Sequence, residues 1–378
     1  MTVFTCICIA ALVIAAPAKT ADDPQDRIAT AVEARGWWNH SGLGPYPGDW
    51  NRSAKELSEA GFTMIFPNMA WASQAHYPSD VLPRSNTYKK YGDQIAQCLK
   101  AAKKYGIEVH VWKINYNLGN APEKQVEKLR REGRLQVDIN GKSKDWLCPS
   151  HPKNFQLELD SMLEIVRKYD VDGIQLDYIR WPDGQHCFCK GCRKQFEKDS
   201  GKKVDAWPKD CHAGKRREEF YRWRASQISK LVAATHDQAK QIRADIKISA
   251  AVFGYYPSCR DSVGQDWVGW AKAGHVDFLC PMNYTEDDEQ FESMLKKQIK
   301  LLGGSVPIYP GIGVISSRSR LSPDQIKDQI NLARRLGARG FMLFNLTPTA
   351  AETILPKLDL DKDSKGPKNR NRRGKPGR

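Results

Sequence analysis

Short apolar runs alternate along this chain with longer stretches whose apolar residues recur at helical spacing. The runs fall at 32–38, 63–67, 108–114, 173–179, 246–253, 277–282, 306–311 and 340–345. Helical spacing occupies 51–60, 93–105, 154–169 and 216–240, begins again near 265, and returns at 287–302 and 322–336. A short last helix is expected with Thr347 as N-cap and Pro348 at its first position, ending before Pro356. Strand and helix in strict alternation predict a parallel α/β fold. Eight such units closing on themselves make a (β/α)₈ barrel (TIM barrel), which leaves no sheet edge exposed. The rival, an open doubly wound sheet, is disfavoured because no glycine-rich phosphate turn follows the first run. Long connections follow the second, third, fourth and fifth runs, and in a barrel these lie on the catalytic face.

Length and composition fit this reading. The chain has 378 residues, 40% of them hydrophobic, enough for one large core, and the barrel is placed over 28–360. Residues 1–18 form a short apolar run closing on Ala16-Pro17-Ala18, the small-x-small pattern of a signal-peptide cleavage site, so export is expected. No later segment is long and apolar enough to span a bilayer. The formal net charge is +15. Residues 361–378 supply six of those charges, with eight basic against two acidic side chains. That segment has no large apolar side chain and is expected to be a disordered tail. Nucleic acid is not the expected partner of an exported protein. An anionic envelope polymer is, alongside the alternative of a solvated tail with no partner.

The candidate chemistry sits where strands end. Parallel barrel strands are covered on both faces and should read as continuous apolar runs. In Gly173-Ile174-Gln175-Leu176-Asp177-Tyr178-Ile179-Arg180, Gln175 and Asp177 break one face while Ile174, Leu176 and Tyr178 fill the other. A carboxylate at the C-terminal end of a barrel strand points into the barrel mouth, and Arg180 is a nearby candidate to pair with it. Other strand ends offer aromatic rings beside polar groups: Trp38, Asn68, His110 with Trp112, Asn115, Tyr255, Asn283 with Tyr284, and Asn345. That mixture suits sugars, whose C–H faces stack on rings and whose hydroxyls need polar partners. Glycoside cleavage usually takes two carboxyl groups. Asp177 is the first, and Glu286 and then Asp261 are the candidates for the second. Asp266, before Trp267 at a helix start, reads as an N-cap instead.

Ala34-Arg35-Gly36-Trp37-Trp38, Val109-His110-Val111-Trp112, Trp146-Leu147-Cys148-Pro149, the 172–182 stretch, Gly264-Gln265-Asp266-Trp267 and Cys280-Pro281-Met282-Asn283-Tyr284 together resemble the glycosyl-hydrolase-like family 10 proteins. The resemblance runs from about the first strand to the eighth. Its most specific part is Asp172-Gly173, Asp177-Tyr178, Arg180 and Pro182 at their fixed spacing. It implies a (β/α)₈ barrel, often exported by bacteria, and glycoside hydrolysis without a catalytic cofactor. It also implies that Asp177 matches the fourth-strand carboxylate, the nucleophile or stabilising base of related barrel glycosidases.

A cysteine cluster lies in the connection after the fourth strand. Cys187, Cys189 and Cys192, with Cys211 beyond, could close a structural zinc site or form two disulfides, which an exported protein allows. Either would staple a loop on the active side. Asn39, Asn51 and Asn283 match glycosylation acceptors, read here as chance. Two functions remain open: a glycosidase acting on a polysaccharide or oligosaccharide, or a carbohydrate-binding barrel without hydrolysis. They differ in whether Asp177 has a carboxyl partner about 5 Å away, as in a retaining pair, or roughly 6.5–9.5 Å away, as in an inverting one.

Overall fold

The computed structural model describes residues 33–360. The expected signal peptide (1–18), the start of the expected barrel (28–32) and the basic tail (361–378) lie outside the described residues. Eight parallel strands close into a barrel: β1 (Ala34–Asn39), β2 (Met64–Ala70), β3 (Glu108–Ile114), β6 (Gly173–Asp177), β7 (Lys247–Phe253), β8 (Phe278–Met282), β9 (Gly311–Gly313) and β10 (Gly340–Phe344). They neighbour one another in chain order, and β10 pairs with β1 to close the ring. The two remaining strands, β4 (Leu135–Val137) and β5 (Ser143–Leu147), form a separate antiparallel hairpin in the connection after β3.

Period-2 alternation divides the core into two layers. Even-numbered residues of β1, β2, β3, β8 and β10, among them Trp38, Phe66, Trp112, Phe278 and Met342, fill the barrel interior. Odd-numbered residues such as Trp37, Ile65, Val109 and Leu343 pack outward against the helices. Space inside is tight. A Cβ on Gly173 would meet the His110 ring at 2.2 Å, so glycine is required there for close approach. The N-terminal end of the barrel is sealed by polar contacts. His110, fully buried and stacked on Phe66, faces Glu108 through its Nε2 at 3.1 Å, and Lys247 pairs with Glu108 at 3.0 Å.

Most helices begin and end on sequence signals. Asp93 caps the helix Gln94–Tyr105, Asp266 caps Trp267–Lys272, and Ser322 with Gln325 makes a full capping box on Pro323–Arg335. The final helix, Pro348–Thr353, is capped by Thr347 as expected. Three expectations shift. The seventh strand was predicted at 306–311, but the regular pairing sits at Gly311–Gly313, and only an isolated bridge joins Leu279 and Ile308 before it. Proline at 307 and 310 removes donors from the ladder, which delays regular pairing. The fourth strand stops at Asp177 rather than 179, because Tyr178 turns into the left-handed region at φ 51°. The loops also carry elements that the pattern did not reveal: Asn86–Tyr91, Glu123–Arg131, the β4–β5 hairpin, Lys190–Ser200 and Lys209–His212.

A single-carboxylate cleft at the C-terminal face

The barrel opens at the C-terminal strand ends into a cleft of ≈ 690 Å³. Trp38, Trp112, Asp177, Phe253, Met282 and Phe344 reach it from six different strands. Loops add His40, Tyr178, Arg180, Tyr255, Tyr284 and Arg318. Aromatic rings form its walls: Tyr284 stacks on Phe344 at 5.2 Å, and Trp112 meets Phe344 edge-on at 6.3 Å. Trp38 holds the floor, its Nε1 hydrogen-bonded to Gln175 Oε1.

Asp177 is the only carboxylate lining this cleft among the described residues. It is buried at the end of β6, directly before the left-handed Tyr178. Burial pushes its carboxyl up from 3.8 to about 6. Three influences oppose burial: the Tyr178 N–H donates to Oδ1 at 2.6 Å, Arg180 adds positive charge, and the Trp112 indole stands nearby. The Trp112 Nε1–H itself is buried and lacks a hydrogen bond of good geometry, which leaves a donor beside the carboxylate. Such a carboxyl exchanges its proton near neutral pH, which suits acid–base work.

Arg180 does not make the structural pair with Asp177 considered above. Its Nη1 donates to the carbonyls of Trp181 (3.1 Å) and Pro182 (3.2 Å). Its guanidinium lies 4.8–5.2 Å from the ring centres of Phe253, Tyr178 and Trp146. The charge reaches Asp177 at longer range only. Tyr255 is half exposed at the rim and accepts a hydrogen bond from Gln290 at 2.9 Å.

The proposed second carboxylates are elsewhere. Glu286 is exposed and accepts from the Arg320 N–H at 2.8 Å, while Asp261 is exposed and paired with Arg260 at 2.7 Å; neither lines the cleft. Their neighbours Ser262 and Thr285 do line the cleft, so it is the direction of the two side chains, toward Arg260 and the Arg320 N–H, that keeps them out. Several expected sugar contacts are structural as well. His110 belongs to the sealed barrel bottom, since it stands near the start of β3. Asn115 donates to Glu158 at 2.8 Å, outside the barrel wall. Asn283 exchanges hydrogen bonds with Gln298 at 2.7 and 2.9 Å. Asn68 donates to the Trp112 carbonyl at 3.1 Å, and the Asn345 side chain accepts from the His40 N–H at 3.1 Å; neither lines the cleft. Among the residues that sequence reading passed over are His40, Phe253, Phe344 and Arg318. The first three were legible as strand-end positions. His40 rests edge-on against Trp71 (5.6 Å) and Trp112 (5.3 Å), and burial holds its imidazole below 6.5.

The cysteines regroup. Cys187, Cys189 and Cys192 meet Cys148, all four sulfurs lying within 4.8 Å of one another. Cys211 stands outside this group, in the short helix Lys209–His212. The fourth member comes from before the fourth strand, where the β4–β5 hairpin returns to the barrel top.

The chain matches the family described as Glycosyl hydrolase-like 10 over residues 45–312. It is 22% identical over 259 residues to an S-layer-related protein of Niallia circulans, covering 58% of this chain and 15% of that one. It is 21% identical over 262 residues to the glycosyl hydrolase YngK of Bacillus subtilis, covering 61% of this chain and 47% of that one. The matches therefore take in less than half the length of either relative. Among solved structures, the glycoside hydrolase domain of PgaB (BpsB) from Bordetella bronchiseptica superposes with a TM-score of 0.67 at 12% identity, over 87% of this chain and 99% of that domain. At that identity the likeness establishes a shared fold.

Proposed function

The chain belongs to the glycosyl hydrolase-like 10 family, and on that premise we propose that it is an exported glycoside hydrolase acting on a polysaccharide or oligosaccharide. The observation that carries the reading is Asp177, a buried carboxyl held at about 6 in an aromatic cleft on the C-terminal face. In its ionised form it serves as nucleophile, as base toward water, or as the charge that stabilises an oxocarbenium-like transition state. Stacked rings take the faces of the sugar, and Arg180 and Tyr255 take hydroxyls. With no second carboxylate in the cleft among the described residues, His40 is the candidate to protonate the leaving oxygen, a role it fills only as the imidazolium, which its burial disfavours and acidic pH restores. No catalytic cofactor is needed for this chemistry. Export is supported by the apolar run ending at Ala18, and the relative named as S-layer-related supports work on an envelope polymer. No helix of the described residues is long and apolar enough to cross a membrane.

The single carboxylate also favours a second reading, a barrel that binds carbohydrate without cleaving it. One experiment separates them. The full chain is incubated with a panel of polysaccharides and with aryl glycosides, and new reducing ends are measured beside binding. The hydrolase reading predicts cleavage of at least one substrate. It also predicts that His40→Ala is impaired on the polysaccharide far more than on an aryl glycoside, whose leaving group needs little protonation. Binding without cleavage anywhere on the panel would establish the second reading.

A further inference from the structure

Four sulfurs converge on the active side of the barrel, outside the cleft. Cys148 follows β5, Cys187 lies in the connection after β6, Cys189 caps the helix Lys190–Ser200, and Cys192 stands in its first turn. Cys148 Sγ is 3.5 Å from Cys192 Sγ and 3.9 Å from Cys189 Sγ. A disulfide would need about 2.05 Å. Four sulfurs about 2.3 Å from a central zinc ion, in a regular tetrahedron, stand about 3.8 Å apart. The two Cys148 spacings bracket that value, and all four sulfurs lie within 4.8 Å of one another.

The surroundings fit thiolates. The Cys192 N–H donates to Cys189 Sγ, and the Val137 N–H donates to Cys187 Sγ, each at 3.3 Å. Ser150 Oγ is within hydrogen-bond reach of Cys192 Sγ (3.2 Å) and Cys148 Sγ (3.3 Å). Four thiolates around a divalent ion leave a net charge of −2. The buried Arg224 feels the charge of Cys192 and Cys187, and its Nε has no hydrogen-bond partner. That guanidinium, held over the Trp181 and Tyr221 rings, brings one positive charge that offsets part of it.

We propose that Cys148, Cys187, Cys189 and Cys192 hold one zinc ion in a closed structural site that ties the loop after β6 to the β4–β5 hairpin. With four protein ligands no position is left for water, so the site does no chemistry of its own. Loading releases thiol protons to solvent, up to one per cysteine. The ion also braces a wall of the cleft. Trp146, two residues before Cys148, packs against Tyr178 at 5.6 Å and lies 5.2 Å from the Arg180 guanidinium.

The test uses the full chain purified without chelator. Bound metal is measured by mass spectrometry, free thiols are counted after denaturation, and the zinc is then exchanged for cobalt(II). The expected results are about one zinc per chain, the charge-transfer and visible bands of a tetrahedral thiolate site, and at least a tenfold loss of zinc in Cys148→Ser. Cys211→Ser should keep its zinc. The cobalt spectrum and the metal content belong to the wild-type chain, so they decide the matter even if Cys148→Ser fails to fold. Wild-type protein with no metal would overturn the proposal, whether the four thiols prove free or oxidised to disulfides. So would zinc lost as fully from Cys211→Ser as from Cys148→Ser.

Discussion

Asp177 is buried at the cleft floor at the expense of stability. Its carboxyl titrates at about 6 in the folded protein, against 3.8 for the unperturbed group. Well below 3.8 it is neutral in both folded and unfolded chains. Between 3.8 and about 6 the unfolded chain has ionised this group while the folded protein keeps it protonated, so stability is lost across that window and the loss is complete above it. Two pKa units correspond to on the order of 3 kcal/mol. Asp177→Asn keeps an acceptor for the Tyr178 N–H and removes the charge. The variant should therefore be more stable than wild type at pH 8 by about that amount and level with it at about pH 3, read from denaturant unfolding at both values. A variant less stable at pH 8 would mean that the carboxylate holds the fold together. Tyr178 adds to the strain, because a non-glycine residue in the left-handed region costs roughly 1–2 kcal/mol. Both penalties fall on adjacent residues at the cleft, as expected of the proposed active site.

At the scale of elements, the barrel strands and their helices were legible because alternation and capping are local signals. The loops were not, because what orders them is tertiary. Glu158 shows this. It is buried on the helix Pro152–Lys168, pairs with the buried Lys113 at 2.9 Å, and accepts from Asn115 (2.8 Å) and the Tyr116 N–H (2.9 Å). One side chain thereby pins the end of β3 and diverts Asn115 from any sugar. Nothing in the run Val109–Asn115 reveals a carboxylate more than forty residues away. Glu158→Gln should destabilise the protein by about 3–5 kcal/mol, since it leaves the Lys113 ammonium buried without its counter-charge. Replacing Lys113 and Glu158 together with apolar residues should recover most of that loss, measured as the shift in denaturant midpoint. The cysteine cluster was legible in its short-range part, Cys187, Cys189 and Cys192. Its fourth member depended on where the hairpin returned, which spacing along the chain does not encode.

For the whole molecule, one barrel keeps two ends with separate work. The N-terminal end is closed by His110, Glu108 and Lys247 and belongs to stability. The C-terminal end gathers rings from four strands and their loops around one carboxylate among the described residues. Asp177 was legible because it interrupts a buried strand on the inward face. The sequence could not reveal that no other carboxylate among the described residues shares the cleft, because that depends on which way Glu286 and Asp261 turn from loops whose neighbouring residues line it. The most direct measurement is turnover and binding by Asp177→Asn on a glycan the wild type cleaves, with the fold checked by its unfolding curve. The account predicts that kcat falls by about 10³-fold or more, because the charge facing the transition state is gone, while the affinity for the glycan changes by no more than a few fold. A folded Asp177→Asn protein that keeps its turnover would contradict it.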